Sequence, residues 1–435
     1  MEGSFAVKGT IAFTAQRDKF TIVENAYLVC QGQRVAGVYQ TLPAACQKIP
    51  VLDMGARFVL PGTCDLHVHA SQFAFQGMGQ NIENGKWNTW FDRYAFPDES
   101  RFQNHAYAER TYTDFAKALL KTPTTRLCAY ATTDRVATEI LMHILAGYGF
   151  AGYVGKVNMD RNCGDGLLET TQETLEETRR WLDQGAVGGI EPIITPRYFP
   201  SCTTEALAGL GRLAEEYRTP VQSHLSEGLD EIEWVKELDP TLDCYIQAYD
   251  RAGLLSPVHP VIMAHCVFPT PEEFSLLRSR NVIVAHCPQS NLNSSGRTAP
   301  VIDYLDAGIA VGLGTDVGGG NTLHMFRTIF EAILASKVRW AYTTDHPEQI
   351  SDRQVLTLPG AFYLATKGGG ALWHTGSFEP GYCFDAVVLD DSRFCQRADR
   401  TPYERLERLI TMSDDRDIVA KYINGSCVYM REGEK

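Results

Sequence analysis

From Phe58 onward the chain repeats one pattern: a short, almost wholly apolar run, then a longer amphipathic stretch, then another apolar run. A strand that is apolar on both sides must be covered on both, and helical segments between such strands give a parallel β/α architecture. Eight runs can be counted: Phe58-Val59-Leu60 leading into Leu66 to His69, then 125 to 131, 151 to 157, 187 to 195, 220 to 224, 261 to 265, 282 to 286 and 309 to 315. Eight strands close a (β/α)8 TIM-like barrel. The expected class is therefore α/β. Helices fit between the strands, for example Leu168 to Asp183 stopped by Gly185, and Glu205 to Tyr217 stopped before Pro220. Thr270-Pro271-Glu272-Glu273 reads as a helix start, with Thr270 as cap, Pro271 at the first position and Glu273 completing a capping box.

The two chain ends read differently. Residues 1 to 57 hold short alternating runs, among them Phe20-Thr21-Ile22-Val23 and Ala26-Tyr27-Leu28-Val29, and from about Gly376 strands return with Phe384 to Leu389 and Cys427-Val428-Tyr429. Both ends are expected to meet in one small β-sandwich domain, 1–57 with 376–435, beside a barrel of 58–375. A length of 435 residues suits one large domain with a smaller companion.

Composition excludes several classes of function. A formal net charge of −13 argues against nucleic acid as partner, since phosphate binding needs clustered Lys and Arg. No apolar run approaches the roughly 18 residues that span a bilayer, and Met1-Glu2-Gly3-Ser4 does not open a signal peptide. The 12 cysteines contain no C-x-x-C pair and sit in apolar runs, as buried reduced thiols do. A soluble, cytoplasmic protein without a membrane partner is the expectation.

The chemistry lies at the strand exits, where barrels of this kind place their sites. His67 and His69 share one face of their strand because alternate residues point the same way. Such a pair alone reads more readily as two ordinary histidines. The other strands change that: His224 ends the fifth, His265 the sixth, His286 the seventh, and Asp316 follows the eighth, so five of 11 histidines fall at strand exits. His67, His69, His224 and Asp316 supply three nitrogens and one oxygen, a donor set for a single catalytic metal that keeps a position for water. His265 either ligates or hydrogen-bonds the water and the developing tetrahedral centre, and the second role is preferred. For His286 alone, an ordinary buried histidine is the preferred reading. A bridging lysine for a second metal is missing from Thr195-Pro196-Arg197-Tyr198, and Lys156 on the third strand reads as structural. Zinc lowers the pKa of a bound water to about 7. Glu227, three residues beyond His224, is placed as the proton shuttle, and Asp316 can also accept a proton. The glycines of Gly312 to Gly320 do not make a dinucleotide fingerprint, because Val317 stands where glycine is needed.

Together the H-x-H strand, the His224 and His265 strands and Asp316 resemble the amidohydrolase superfamily of metal-dependent hydrolases. The stretches His67 to Gln72, Thr195 to Tyr198, Gln222 to Glu227, Ala285 to Asn291 and Gly314 to Val317 look like its guanine deaminase branch, with Trp90-Phe91, Phe96-Pro97 and Arg101 to Asn104 in support. That resemblance implies one zinc per chain, iron(II) being also compatible, and a purine base held by Gln72, Arg197, Tyr198 and Glu227. It further implies deamination of guanine to xanthine and ammonia in purine catabolism or salvage, catalysed by Glu227, Asp316 and His265, and assembly as a homodimer. Tyr198 stands where phenylalanine is common in the branch, and Cys266 where glycine is. The alternatives are a deaminase or related hydrolase of a pterin, a triazine or an adenosine derivative, and an inactive barrel used as a binding protein.

Overall fold

The computed structural model describes residues 3–81, 87–346, 354–394 and 399–434. The chain opens with four strands, Ser4–Gln16 (β1), Lys19–Gln31 (β2), Arg34–Tyr39 (β3) and Val51–Pro61 (β4). Ten strands follow, most of them separated by helices: Thr63–His69 (β5), Thr124–Tyr130 (β6), Ala151–Gly155 (β7), Val157–Asn158 (β8), Gly189–Pro192 (β9), Thr195–Pro196 (β10), Val221–Leu225 (β11), Val261–His265 (β12), Ile283–His286 (β13) and Ala310–Leu313 (β14). The chain returns to strands with Ala386–Leu389 (β15), Ile418–Ile423 (β16) and Ser426–Met430 (β17).

β5, β6, β7 and β9 form one parallel sheet, and β11 to β14 form another. Backbone hydrogen bonds join the two at both edges. Ile194 N–H donates to Pro220 O and Gln222 N–H to Ile194 O, each at 2.9 Å; across the other edge Asp316 N–H donates to His67 O at 2.8 Å and His69 N–H to Val317 O at 2.9 Å. Leu66, Cys128, Tyr153, Ile193, Ile262 and Ala285 meet in one buried cluster between the two sheets. The intervening residues of the same strands, such as Leu127, Ala129 and Val154, pack outward into a larger core with the helices. Each strand is therefore buried on both sides, which is why the sequence shows unbroken apolar runs instead of alternation.

The expected helix signals form. Thr170 caps Thr171–Gln184 in a capping box with Glu173, and Gly185 ends it at φ 72°. Thr270 and Glu273 make the expected capping box at Pro271–Ser279; the box at Thr170 was not among the expectations. Among the described residues no helix is long and apolar enough to cross a membrane.

Two expectations are corrected. The first concerns Phe58-Val59-Leu60, which does not open the first parallel-sheet strand; it lies in β4, parallel to β1 and antiparallel to β15. Its unbroken hydrophobicity has another cause. Phe58 and Leu60 point into the large core while Val59 points into the core of the small sheet, so this strand too is covered on both faces. The second correction concerns the chain ends, which meet in one seven-stranded sheet, order β17-β16-β15-β4-β1-β2-β3, where two packed sheets were expected. The sheet curls instead. β1 and β16 are three strand spacings apart, roughly 14 Å if flat, yet the Phe5 and Tyr422 rings lie 5.6 Å apart. Register shifts in β1 and β16 accompany the bend.

Candidate active site

The exits of β5, β11, β12 and β14 converge. Asp65 fixes the first against the last: it accepts from the His67 N–H at 3.3 Å, from the Thr315 N–H at 3.0 Å and from the Thr315 hydroxyl. Several exits turn through left-handed backbone, at Ser226, His265, Cys266 and Asp316, with φ of 49°, 72°, 48° and 50°. Only glycine adopts this region without cost. Cys266 adopts this conformation, with its carbonyl accepting from the Tyr304 hydroxyl at 2.8 Å.

His67 Nε2 and His69 Nε2 lie 3.2 and 3.5 Å from the same oxygen of Asp316. His69 Nε2 faces His224 Nε2 at 3.2 Å. The donor atoms of His67, His224 and His265 all fall within 4.8 Å of one another, as do those of Glu227, His265 and Asp316. His265 Nε2 is 3.4 Å from Glu227 Oε2. Every predicted ligand and both predicted proton-handling groups are therefore in one place. The Cys287 thiol reaches the same neighbourhood, within 4.8 Å of His67 and Asp316 atoms.

The other ring nitrogens show how this cluster is held. His224 Nδ1 donates to Arg197 O at 2.6 Å and His265 Nδ1 to Asn291 Oδ1 at 2.8 Å, which leaves both Nε2 atoms as bare lone pairs when the rings are neutral. His67 Nε2, His69 Nδ1 and His265 Nε2 are buried without a hydrogen bond. Buried polar atoms are normally satisfied. The Nε2 atoms of His67, His69 and His224 converge beside the Asp316 carboxylate, and such a set of imidazole nitrogens and a carboxylate fits a metal ion.

The electrostatics agree. Burial lowers the His67 imidazole, and burial with the neighbouring histidines holds His69 and His224 well below the ordinary range, so these rings are neutral and able to ligate. Burial alone would raise the Asp316 carboxyl, but the adjoining imidazoles of His67, 3.2 Å away, and His265 pull it far below the usual carboxylate range. Glu227 goes the other way. Burial pushes it up to about 7, against the pull of His265 and with a push from Asp316. His265 is raised because Glu227 and Asp316 outweigh its burial.

Beside the cluster, Gln72, Arg197, Trp90 and Phe91 line one cavity with His69, His224, Glu227, His265 and Asp316. Tyr198 lies in the adjoining mouth with Trp234, its ring 6.2 Å from the rings of Phe91 and Trp234. The Arg197 guanidinium rests over the Phe91 and Phe96 rings at 5.2 and 5.7 Å. Sequence reasoning missed Glu99, which accepts from Gln72 Nε2 at 2.7 Å and from Arg197 Nη1 at 3.1 and 2.8 Å. Its only signal was an acid two residues beyond the aromatic-proline pair Phe96-Pro97. Asn291 was also missed as the partner of His265. Lys156, as expected, is structural: it is buried and ion-paired with Glu169 at 2.8 Å. His286 is buried with an unpartnered Nδ1, pushed down to about 3 by burial and by His265 and Arg339, and belongs to no ligand group among the described residues.

Comparison with known proteins adds the following. Residues 58–428 match the model of the Amidohydrolase family. Guanine deaminase of Dictyostelium discoideum is 36% identical over 387 residues, spanning 86% of this chain and 83% of that protein. The Homo sapiens guanine deaminase is 33% identical over 392 residues, spanning 85% and 83%. A crystal structure of guanine deaminase from C. acetobutylicum with guanine bound in the active site superimposes with a TM-score of 0.92 at 40% identity, covering 98% of this chain and 100% of that one.

Proposed function

The chain belongs to the amidohydrolase family, and from that premise we propose that it hydrolyses guanine to xanthine and ammonia. The observation that carries the reading is the shared cavity. One wall is the histidine, Asp316 and Glu227 cluster, and another presents Gln72 and Arg197. A planar amide and a guanidinium suit the carbonyl and ring-nitrogen edge of an oxo-purine, and aromatic side chains suit its faces. Relatives named guanine deaminase at 31–36% identity support the same substrate, as does the guanine in the active site of the C. acetobutylicum protein.

His67, His69, His224 and Asp316 are our candidates to hold one zinc ion, or iron(II), since nitrogen and oxygen donors suit both. When bound, such an ion lowers the pKa of water into the neutral range. Glu227 takes a proton from the attacking water and delivers it to the purine ring nitrogen; as the tetrahedral centre collapses to the new carbonyl, the proton of its hydroxyl passes through Asp316 or Glu227 to the amine, which departs as ammonia. A carboxyl pushed up to about 7 can both accept and donate at neutral pH. The 3.4 Å contact of His265 with Glu227 and its hydrogen bond to Asn291 favour a role in stabilising the tetrahedral centre, with Arg197 serving the carbonyl. Asp316 is a second proton acceptor.

The eight parallel strands, bonded at both edges, are read as one closed (β/α)8 barrel over 58–375, with 1–57 and 376–435 as the companion unit that β4 ties to it. The free thiols among the described residues suit a cytoplasmic setting, and a homodimer is part of the same proposal. Metal analysis combined with an ultraviolet assay of xanthine formation tests the central reading. About one metal per chain with guanine turnover is expected. Metal without guanine turnover, but with turnover of another aminated ring, overturns the substrate; no turnover of any such ring overturns the enzyme.

A further inference from the structure

Glu99 is buried to 1% exposure and binds both side chains assigned to the purine, yet it is not among the residues lining the cavity. Its carboxylate uses one nitrogen of Arg197 and one of Gln72, whose Oε1 in turn accepts from the Gly318 N–H at 3.0 Å. Arg197 Nε and Nη2 make no hydrogen bond among the described residues and remain available to a ligand. We infer that Glu99 is a positioning and product-discriminating residue: it orients Gln72 and Arg197 and neutralises the guanidinium, so that the pocket binds a neutral oxo-purine and releases the anionic product. This rests on the guanine reading above.

The chemistry behind it is general. Deamination replaces the amino group with a second carbonyl and leaves a new ring N–H beside it, and the resulting xanthine loses a proton more readily than guanine does. Substrate and product thus differ in charge from neutrality upward. An arginine buried without a counter-charge would hold the product anion, because ionic attraction is strong where water is excluded. An ion pair of Glu99 with Arg197 removes that attraction and keeps the directional N–H donors.

The other titratable groups facing the cavity are Glu227, Asp316, His69, His224 and His265. They are common to all variants, so comparison at fixed pH isolates Glu99. Binding of xanthine and of hypoxanthine, which has one carbonyl and stays neutral over the range used, is measured on the metal-loaded protein and on Glu99→Gln at pH 6 and pH 8. Expected is xanthine binding tighter by about tenfold or more in the variant at pH 8, with hypoxanthine unchanged or weaker and metal content unchanged. Parallel changes for both purines mean a merely structural role and overturn the inference. Should Glu99→Gln not fold, the unmodified protein decides: its xanthine-to-hypoxanthine affinity ratio falls from pH 6 to pH 8, and a ratio that rises overturns the inference. If the unmodified protein binds both purines but does not turn over guanine, the functional reading fails and this inference with it; guanine turnover with no xanthine effect sinks the inference alone.

Discussion

The two ends of the parallel strands treat buried polar groups in opposite ways. At the carboxyl ends, His67 Nε2, His69 Nδ1 and His265 Nε2 stand buried without partners. At the amino ends, beside the seven-stranded sheet, buried charges are matched. Arg126 donates to both oxygens of Asp385 at 2.6 and 3.2 Å and to Asn424 at 2.6 Å, while Lys421 donates to Leu119 O at 2.6 Å and Thr124 O at 2.8 Å. Burying polar groups is costly unless they are paired. The paired Arg126 and Lys421 make a stable joint between the two parts of the fold, and the open imidazole nitrogens at the strand exits leave donors free for a ligand.

This contrast can be broken by mutation. The largest expected effect is at the joint: Asp385→Ala strands Arg126 and should cost ~3–5 kcal/mol in denaturant unfolding, a large share of a typical stability. A loss below ~1 kcal/mol would erase the distinction between the ends. At the open end the effect should fall on rate instead. Glu227→Gln should lower kcat by about 10²–10⁴-fold while metal content and the unfolding midpoint stay near those of the parent; near-normal turnover would remove its proton role.

Acid sharpens the comparison further. In the small sheet, burial would raise the Asp390 carboxyl, but hydrogen bonds from Ser392 and the charges of Arg431 and Arg57 pull it down to about 2. A lowered acid stabilises the fold fully above its unfolded value near 3.8, and that contribution disappears as pH falls from about 4 to about 2. A loss of about 1 kcal/mol, reduced by solvent screening of this partly exposed group, is expected over that window, and Asp390→Asn should flatten it in acid titrations of stability. The smallest effect concerns Tyr198. Its hydroxyl makes no hydrogen bond among the described residues, so Tyr198→Phe should change guanine KM by less than about threefold; a larger change would mean that the hydroxyl touches the substrate.

Much of this arrangement was legible beforehand because its signals are local. Apolar runs covered on both sides, the capping box at Thr270, and histidines or Asp316 where strands end all follow from neighbours in the chain. The misreadings share one cause. Phe58-Val59-Leu60 is buried on both faces whether it joins a parallel sheet or lies between two cores, and nothing nearby distinguishes these. The curl of the small sheet depends on pairings between residues more than 300 positions apart, such as Val59 with Val388. Glu99 escaped notice for the same reason: an acid in a short helix reads as solvated until Gln72 and Arg197 are brought to it.

By itself the sequence determined the class of fold, the donor types and their attachment to strand exits, because period, capping and side-chain chemistry are properties of short segments. Only the tertiary structure decided which nitrogens are left bare, which carboxyl is pushed up and which pulled down, and which acid stands behind the purine wall. Those depend on burial and on distances between groups that the chain keeps far apart, and they arise only once the strands are set side by side.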